Sequence, residues 1–188
     1  NGAPWPLSVL AQGADRDTIG AFNARHAGRL VIETVEAKAA TPAEVLALAP
    51  LAREATVFVE IPVHLDPSAL LAAIHAHGLR AKIRTGGVTA DAFPATGDVA
   101  RFLSECDRHE VMFKATAGLH HPLRGDYPLT CASDAPRSAM FGFLNVFFAA
   151  AFARRGLPSA DVARLLDERD SGAFRFTAEG VEWRGRSL

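Results

Sequence analysis

The chain has 188 residues, 49% of them hydrophobic, and a formal charge of −1, enough for one well-packed core and too short for two ordinary domains. Its acids and bases are interspersed, which leaves no electrostatic footprint for nucleic acid. The longest apolar run, Phe141 to Phe152, falls short of the roughly 20 residues a membrane span needs. Two cysteines, Cys106 and Cys131, make neither a disulfide framework nor a thiolate zinc site, and a cytoplasmic protein is expected. The chain begins at Asn1 with no signal-peptide profile, so one α/β domain over residues 1–188 is expected, either whole or the C-terminal part of a larger barrel.

In chain order, Leu7 to Ala11 reads as a short strand and Thr18 to His26 as a helix, followed by a β-branched strand from Arg29 to Ala37. Thr41, Pro42 and Glu44 form a capping box that starts a helix ending at Pro50. The strand Thr56 to Ile61 precedes a helix that opens at Asp66-Pro67 and closes at Gly78, the usual left-handed stop. Then come a strand from Leu79 to Arg84, a helix from Asp98 to Arg108, a strand from Val111 to Thr116 and an apolar helix from Ser138 to Arg154. A last helix, Ser159 to Asp167, and a hairpin of Phe174 to Phe176 with Val181 to Trp183 close the chain.

The βαβα order predicts parallel strands with helices outside them. Two architectures satisfy it: an open doubly wound sheet and a barrel. Side chains alternate faces along a strand, so Glu60, Lys82 and Lys114 fall at one phase of three successive strands whose other phase is apolar. A buried open-sheet strand is apolar on both faces, whereas a barrel interior carries the chemistry of such enzymes. The barrel is therefore expected. It is an incomplete, TIM-like one, because a full eight-stranded barrel takes about 250 residues.

An isolated buried charge is too costly to persist, so Glu60, Lys82 and Lys114 must meet one another, a ligand, or water in a cavity. Glu36 and Lys38 join them if Val31, Val35 and Ala37 turn to the other face. Lys114, next to Met112 and Phe113, is the better candidate for a Schiff-base nucleophile. Lys82, between Arg80 and Arg84, suits anion binding. Thr85-Gly86-Gly87 follows the same strand, and paired glycines let backbone amides approach an anion; a tight turn requires the same residues. Thr116 lies at the neighbouring strand end. His120 and His121 are candidate acid/base groups or, with His64, a weak metal set whose spacing matches no established motif. No cofactor is predicted. The long segment Leu123 to Arg137 reads as a lid carrying Arg124 as a second anion contact, and Asn145 as a helix-to-loop tie.

The strings Ala81-Lys82-Ile83-Arg84-Thr85-Gly86-Gly87, Phe113-Lys114-Ala115-Thr116-Ala117-Gly118-Leu119-His120-His121-Pro122 and Gly142-Phe143-Leu144-Asn145 resemble those of an uncharacterised bacterial family, a resemblance that implies no activity. The Ala- and Arg-rich, Lys-poor composition also looks bacterial. More loosely, a lysine-bearing strand running into Gly-Gly resembles the strand ends of phosphoribosyltransferases and Schiff-base aldolases. The leading expectation is a barrel enzyme acting on a small phosphorylated or carboxylated metabolite by lyase, aldolase or isomerase chemistry. Lys114 or Lys82 then serves as nucleophile or stabiliser, Glu60 as acid/base, and Arg84 with the glycines as anion grip. The competing expectations are a phosphoribosyl transferase, a non-catalytic protein that is either a degenerate barrel or one half of a homo-oligomeric assembly, and a histidine-based metal hydrolase.

Overall fold

Five parallel strands line up in chain order in the computed structural model, which describes residues 2–188. They are β1 (Trp5–Leu10), β2 (Leu30–Lys38), β3 (Thr56–Glu60), β4 (Arg80–Arg84) and β5 (Phe113–Thr116). Between them run α1 (Arg16–Arg25), α2 (Pro42–Leu48), α3 (Ser68–Ala76) and α4 (Thr96–Arg108). The sheet curls into a half-barrel, so the expected partial barrel is the architecture found. An ion pair joins Lys114 of β5 to Glu36 of β2. In a flat sheet those strands lie three spacings of about 4.8 Å apart and their side chains stand upright; curvature is what lets the ends meet.

Contacts divide the chain into two compact units: residues 1–62, 67–83 and 108–114, and residues 63–66, 84–107 and 115–188. In the first, the strand phases Val35 and Ala37, Val57 and Val59, and Ala81 and Ile83 are buried, as are the helix residues Val45, Leu48, Leu71 and Ile74. The α2 start is as expected: Thr41 accepts from Glu44 N at 3.2 Å, and Glu44 reaches back to Thr41 N at 3.3 Å. Gly78 takes φ 65° after α3, a conformation that disfavours any side chain.

In β2 the expected phase needs one correction. Leu7 pairs with Ile32 but Ser8 pairs with Thr34, so Glu33 is an extra residue, a β-bulge. The buried phase therefore passes through Ile32, Val35 and Ala37 rather than through Val31, and Glu36 and Lys38 take the opposite one.

The second unit holds α4 residues up to Asp107, α5 (Phe143–Ala153), α6 (Ser159–Leu166) and two small antiparallel sheets. The expected lid from Leu123 to Arg137 is instead half of a hairpin, with β6 (Gly125–Pro128) paired to β7 (Arg137–Met140). The helix expected from Ser138 accordingly begins only at Phe143. Gly142 makes the break: a side chain there would collide with the backbone of Pro122 and Leu123.

Asn145 ties these parts together, as expected. It is fully buried, donates to the carbonyls of Leu165 and Glu168 at 2.8 Å each, and accepts from Arg124 N at 2.8 Å. The expected C-terminal hairpin forms from β8 (Phe174–Phe176) and β9 (Val181–Trp183), and a third strand, β10 (Arg186–Ser187), extends it. Glu168 fastens this sheet, accepting from Trp183 Nε1 at 3.1 Å and Arg184 Nε at 2.7 Å. Burial pushes the Glu168 carboxyl upward, but bonds from Arg184, Asp170 N and Trp183 outweigh it and hold the group below its ordinary range. No helix among the described residues is long and apolar enough to cross a membrane.

Candidate functional site

Registration across the half-barrel brings the charges together. Lys38 of β2 lies opposite Glu60 of β3, and Glu60 opposite Lys82 of β4. One layer further back, Glu36 lies opposite Phe58, and Phe58 opposite Arg80. The Ala81 amide bonds Met112 O at 2.9 Å, which sets β5 beside β4 and Lys114 within reach.

Lys82 is the hub. It is 5% exposed, and its ammonium sits 2.6 Å from Glu36 Oε2 and 2.6 Å from Glu60 Oε2. Glu36 uses its other oxygen, Oε1, to hold Lys114. The Lys114 ammonium also rests 4.3 Å above the Phe58 ring centre, a cation–π contact. Its apolar neighbour is thus Phe58 across the sheet, not the adjacent Met112, which is exposed. Lys38 approaches Glu60 Oε1 only to 3.8 Å, beyond hydrogen-bonding distance.

The protonation states follow from this geometry. Burial would lower the Lys82 pKa, and it is the largest single influence, but hydrogen bonds and charge from Glu36 and Glu60 together outweigh it and hold the ammonium above the ordinary lysine value. For Glu36, burial raises the pKa, while Lys114 and Lys82 overcome it and keep the carboxylate below its usual range. A lysine held so firmly protonated is a poor nucleophile and a good fixed cation.

Glu36, Glu60 and Lys82 line a cleft of ≈ 480 Å³, whose walls also include Leu10, Gln12, Gly13, Lys38, Glu44 and Leu48. It opens at the C-terminal ends of β1 to β4, the end at which parallel α/β folds place their ligands. Gly13 allows the loop after β1 to touch α2, since a Cβ there would lie 2.5 Å from Ala47 O. Two further wall carboxylates are tied to backbone amides: Asp15 takes Gln12 N at 2.8 Å, and Glu44 takes Ala40 N at 2.6 Å.

The other residues singled out from the sequence lie in the second unit, where packing accounts for several of them. Thr85 is fully buried and its hydroxyl donates to Ala117 O at 2.6 Å. Gly86 is buried under the Phe93 ring, with which any side chain at that position would collide, and a Cβ on Gly87 would come 2.7 Å from Ala92 Cβ. Close packing therefore explains the glycine pair without an anion. Arg84 is exposed and Thr116 half-buried. Arg124 pairs with Asp167 at 2.9 Å through Nε and lies 4.4 Å over the Phe141 ring, while its Nη1 is buried with no hydrogen-bond partner.

His121 stacks on Tyr127 with ring centres 3.5 Å apart, while His120 and His64 are exposed. Among the described residues, no group of three or more His, Cys, Asp or Glu side chains is placed to hold a metal ion. The residue that sequence reasoning left outside its main set is Glu36, the carboxylate shared by both lysines. Its membership depends on the bulge at Glu33, and its only signal was its phase relative to Val35 and Ala37.

The fold and site define a half-barrel α/β protein with an alternating carboxylate–ammonium cluster in the cleft at its strand ends. Comparison with protein-family models, with curated proteins and with solved structures finds no match for the chain.

Proposed function

We propose that the cleft is an active site that moves a proton on a small metabolite carrying a carbonyl and an anionic group, in the lyase or isomerase class. The observation that carries this reading is the buried Lys82 ammonium, 2.6 Å from both Glu36 and Glu60 on the floor of an open cleft. A buried ion cluster is seldom the most stable filling for such a site, since apolar residues of similar volume are often neutral or better. An ionic filling of this cleft is more readily understood as chemistry than as packing.

In this mechanism the substrate carbonyl oxygen takes a place beside Lys82. Glu60 removes the proton from the adjacent carbon: the C–H bond breaks, its electron pair forms the C=C bond of an enolate, and the negative charge gathers on the oxygen facing Lys82. Returning the proton to a neighbouring carbon completes an isomerisation, and expelling a leaving group from the enolate completes a lyase reaction. Glu36 keeps Lys82 charged and in place. Lys82 acts as a fixed cation, so no Schiff base forms there.

The pairing of all four central charges with one another supports a second reading, a non-catalytic protein in which the cluster serves packing. Deuterium wash-in separates the two. Incubating the protein in D₂O with a panel of 2-keto acids and phosphorylated hydroxyketones should place deuterium beside the carbonyl of at least one compound, and Glu60→Gln should abolish it. Absence of wash-in across the panel, or wash-in unaffected by Glu60→Gln, contradicts the catalytic reading.

A further inference from the structure

Lys114 lies outside the cleft, yet it grips a residue inside it. The lining holds four carboxylates, Asp15, Glu36, Glu44 and Glu60, against two ammonium groups, Lys38 and Lys82, and Lys114 meets this acidic lining through Glu36. The two oxygens of Glu36 serve different lysines: Oε2 lies 2.6 Å from the Lys82 ammonium within the cleft, and Oε1 holds Lys114 beyond it. The register partners of Glu36 on the flanking strands, Leu10 of β1 and Phe58 of β3, are uncharged. Phe58 in turn supports the Lys114 ammonium, 4.3 Å from its ring centre. Lys114 is thus seated between an aromatic face and the carboxylate it holds.

Resting on the reading of the cleft as an active site, we propose that Lys114 is a positioning residue for its reaction, acting on Lys82 through Glu36 without touching the substrate. A carboxylate held by one oxygen turns easily about its terminal bond. Held by both, Glu36 presents Oε2 to Lys82 in a single direction. That direction matters because a fixed cation stabilises a developing oxyanion only when it is already aimed at it. The charge of Glu36 depends on the same contact. Burial pushes its carboxyl upward, and bonds from Lys114 and Lys82 outweigh that effect, so loss of Lys114 moves the group towards protonation and loosens the anchor of Lys82.

The test uses the full chain, isotopically labelled at glutamate carboxyl carbons and lysine ammonium nitrogens and observed by NMR in the wild type, Lys114→Met and Lys114→Arg. Glu36→Gln and Lys82→Met assign the two signals. In Lys114→Met the Glu36 titration should move up by about one pH unit, and the Lys82 ammonium signal should broaden through faster exchange with water. Deuterium wash-in should fall by about tenfold in kcat with KM little changed, since Lys114 does not line the cleft. Lys114→Arg keeps a cation able to stack on Phe58 and should restore all of these. Once Glu36→Gln is in place, adding Lys114→Met should change neither wash-in nor the Lys82 signal further. Lys114→Gln is read in the same way should Lys114→Met not fold.

A Glu36 titration and a Lys82 signal that are the same in wild type and Lys114→Met overturn the proposal. So does failure of Lys114→Arg to restore them, or a further loss when Lys114→Met is added to Glu36→Gln, which would mean that Lys114 acts by another route. A purely structural role lowers the urea midpoint of Lys114→Met and leaves the titration, the exchange and kcat of the folded protein as they were; that result also overturns it. Wash-in that depends on Glu60 but not on Lys114 leaves the proton-transfer reading standing and removes Lys114 from it. Wash-in absent with every compound contradicts the active-site reading itself, so the two failures are distinguishable.

Discussion

Lys82 shows how a single residue can be both well satisfied and dangerous to remove. Its ammonium is charged because Glu36 and Glu60 outweigh the effect of burial, and each carboxylate in turn depends on it. Lys82→Met should lower stability by about 3 kcal/mol, since breaking a buried pair leaves charge without a partner. Urea denaturation at several pH values checks this. The Glu36 carboxyl is depressed below its ordinary 4.5, so its pairing contributes fully above about that pH and fades as pH falls through the depressed folded value. The Lys82 pKa is raised above its ordinary 10.5, so its contribution is complete below that value and fades as pH rises through the folded one. The gap between wild type and Lys82→Met should therefore be widest across the neutral range and narrow at acid pH. A gap below about 1 kcal/mol at neutral pH would mean that the ammonium and its partners are solvated rather than buried.

Among the elements, β1 is an edge of the parallel sheet, and an unpaired edge invites another chain. Trp5 N bonds Arg29 O at 2.9 Å and Ala11 N bonds Glu36 O at 3.0 Å, so the odd positions face β2 and the even ones, Pro6 among them, face the open edge. Proline at that position has no N–H to offer an incoming strand. Trp5 and Leu10 are exposed on the same strand, which makes the missing donor more consequential. Pro6→Val restores the donor and a β-favouring side chain. The expected outcome is concentration-dependent association, visible by light scattering, with the fold intact by circular dichroism. A variant that remains as dispersed as the wild type would show that the edge is guarded by something other than Pro6.

At the scale of the whole molecule, the alternation of strands and helices was legible because its signals are local. Thr41, Pro42 and Glu44 mark a helix start, Gly78 marks a stop, and alternation distinguishes the two faces of β3 and β4. The meeting of Glu60, Lys82 and Lys114 was legible for the same reason, since the cost of isolated buried charge requires partners. Glu36 was only conditionally legible, because one bulged residue resets the phase of β2 and nothing in the composition of the strand announces a bulge. The β6–β7 hairpin was missed because its segment is rich in proline and charge, and its pairing depends on Gly142 ending one element and starting the next. Lys38 drew little notice since an exposed lysine is ordinary until its register with Glu60 is known.

One measurement bears most directly on whether the charged cluster exists for chemistry or for the fold: the urea midpoint of the quadruple variant Glu36→Leu, Glu60→Leu, Lys82→Met, Lys114→Met. Apolar residues of similar volume avoid the desolvation cost of the ions and leave no charge stranded. If the cluster serves proton transfer, this variant should fold, resist urea at least as well as the wild type, and show no deuterium wash-in. A variant that fails to fold, or unfolds at markedly lower urea than Lys82→Met alone, would contradict a catalytic purpose and assign the cluster to holding the half-barrel together.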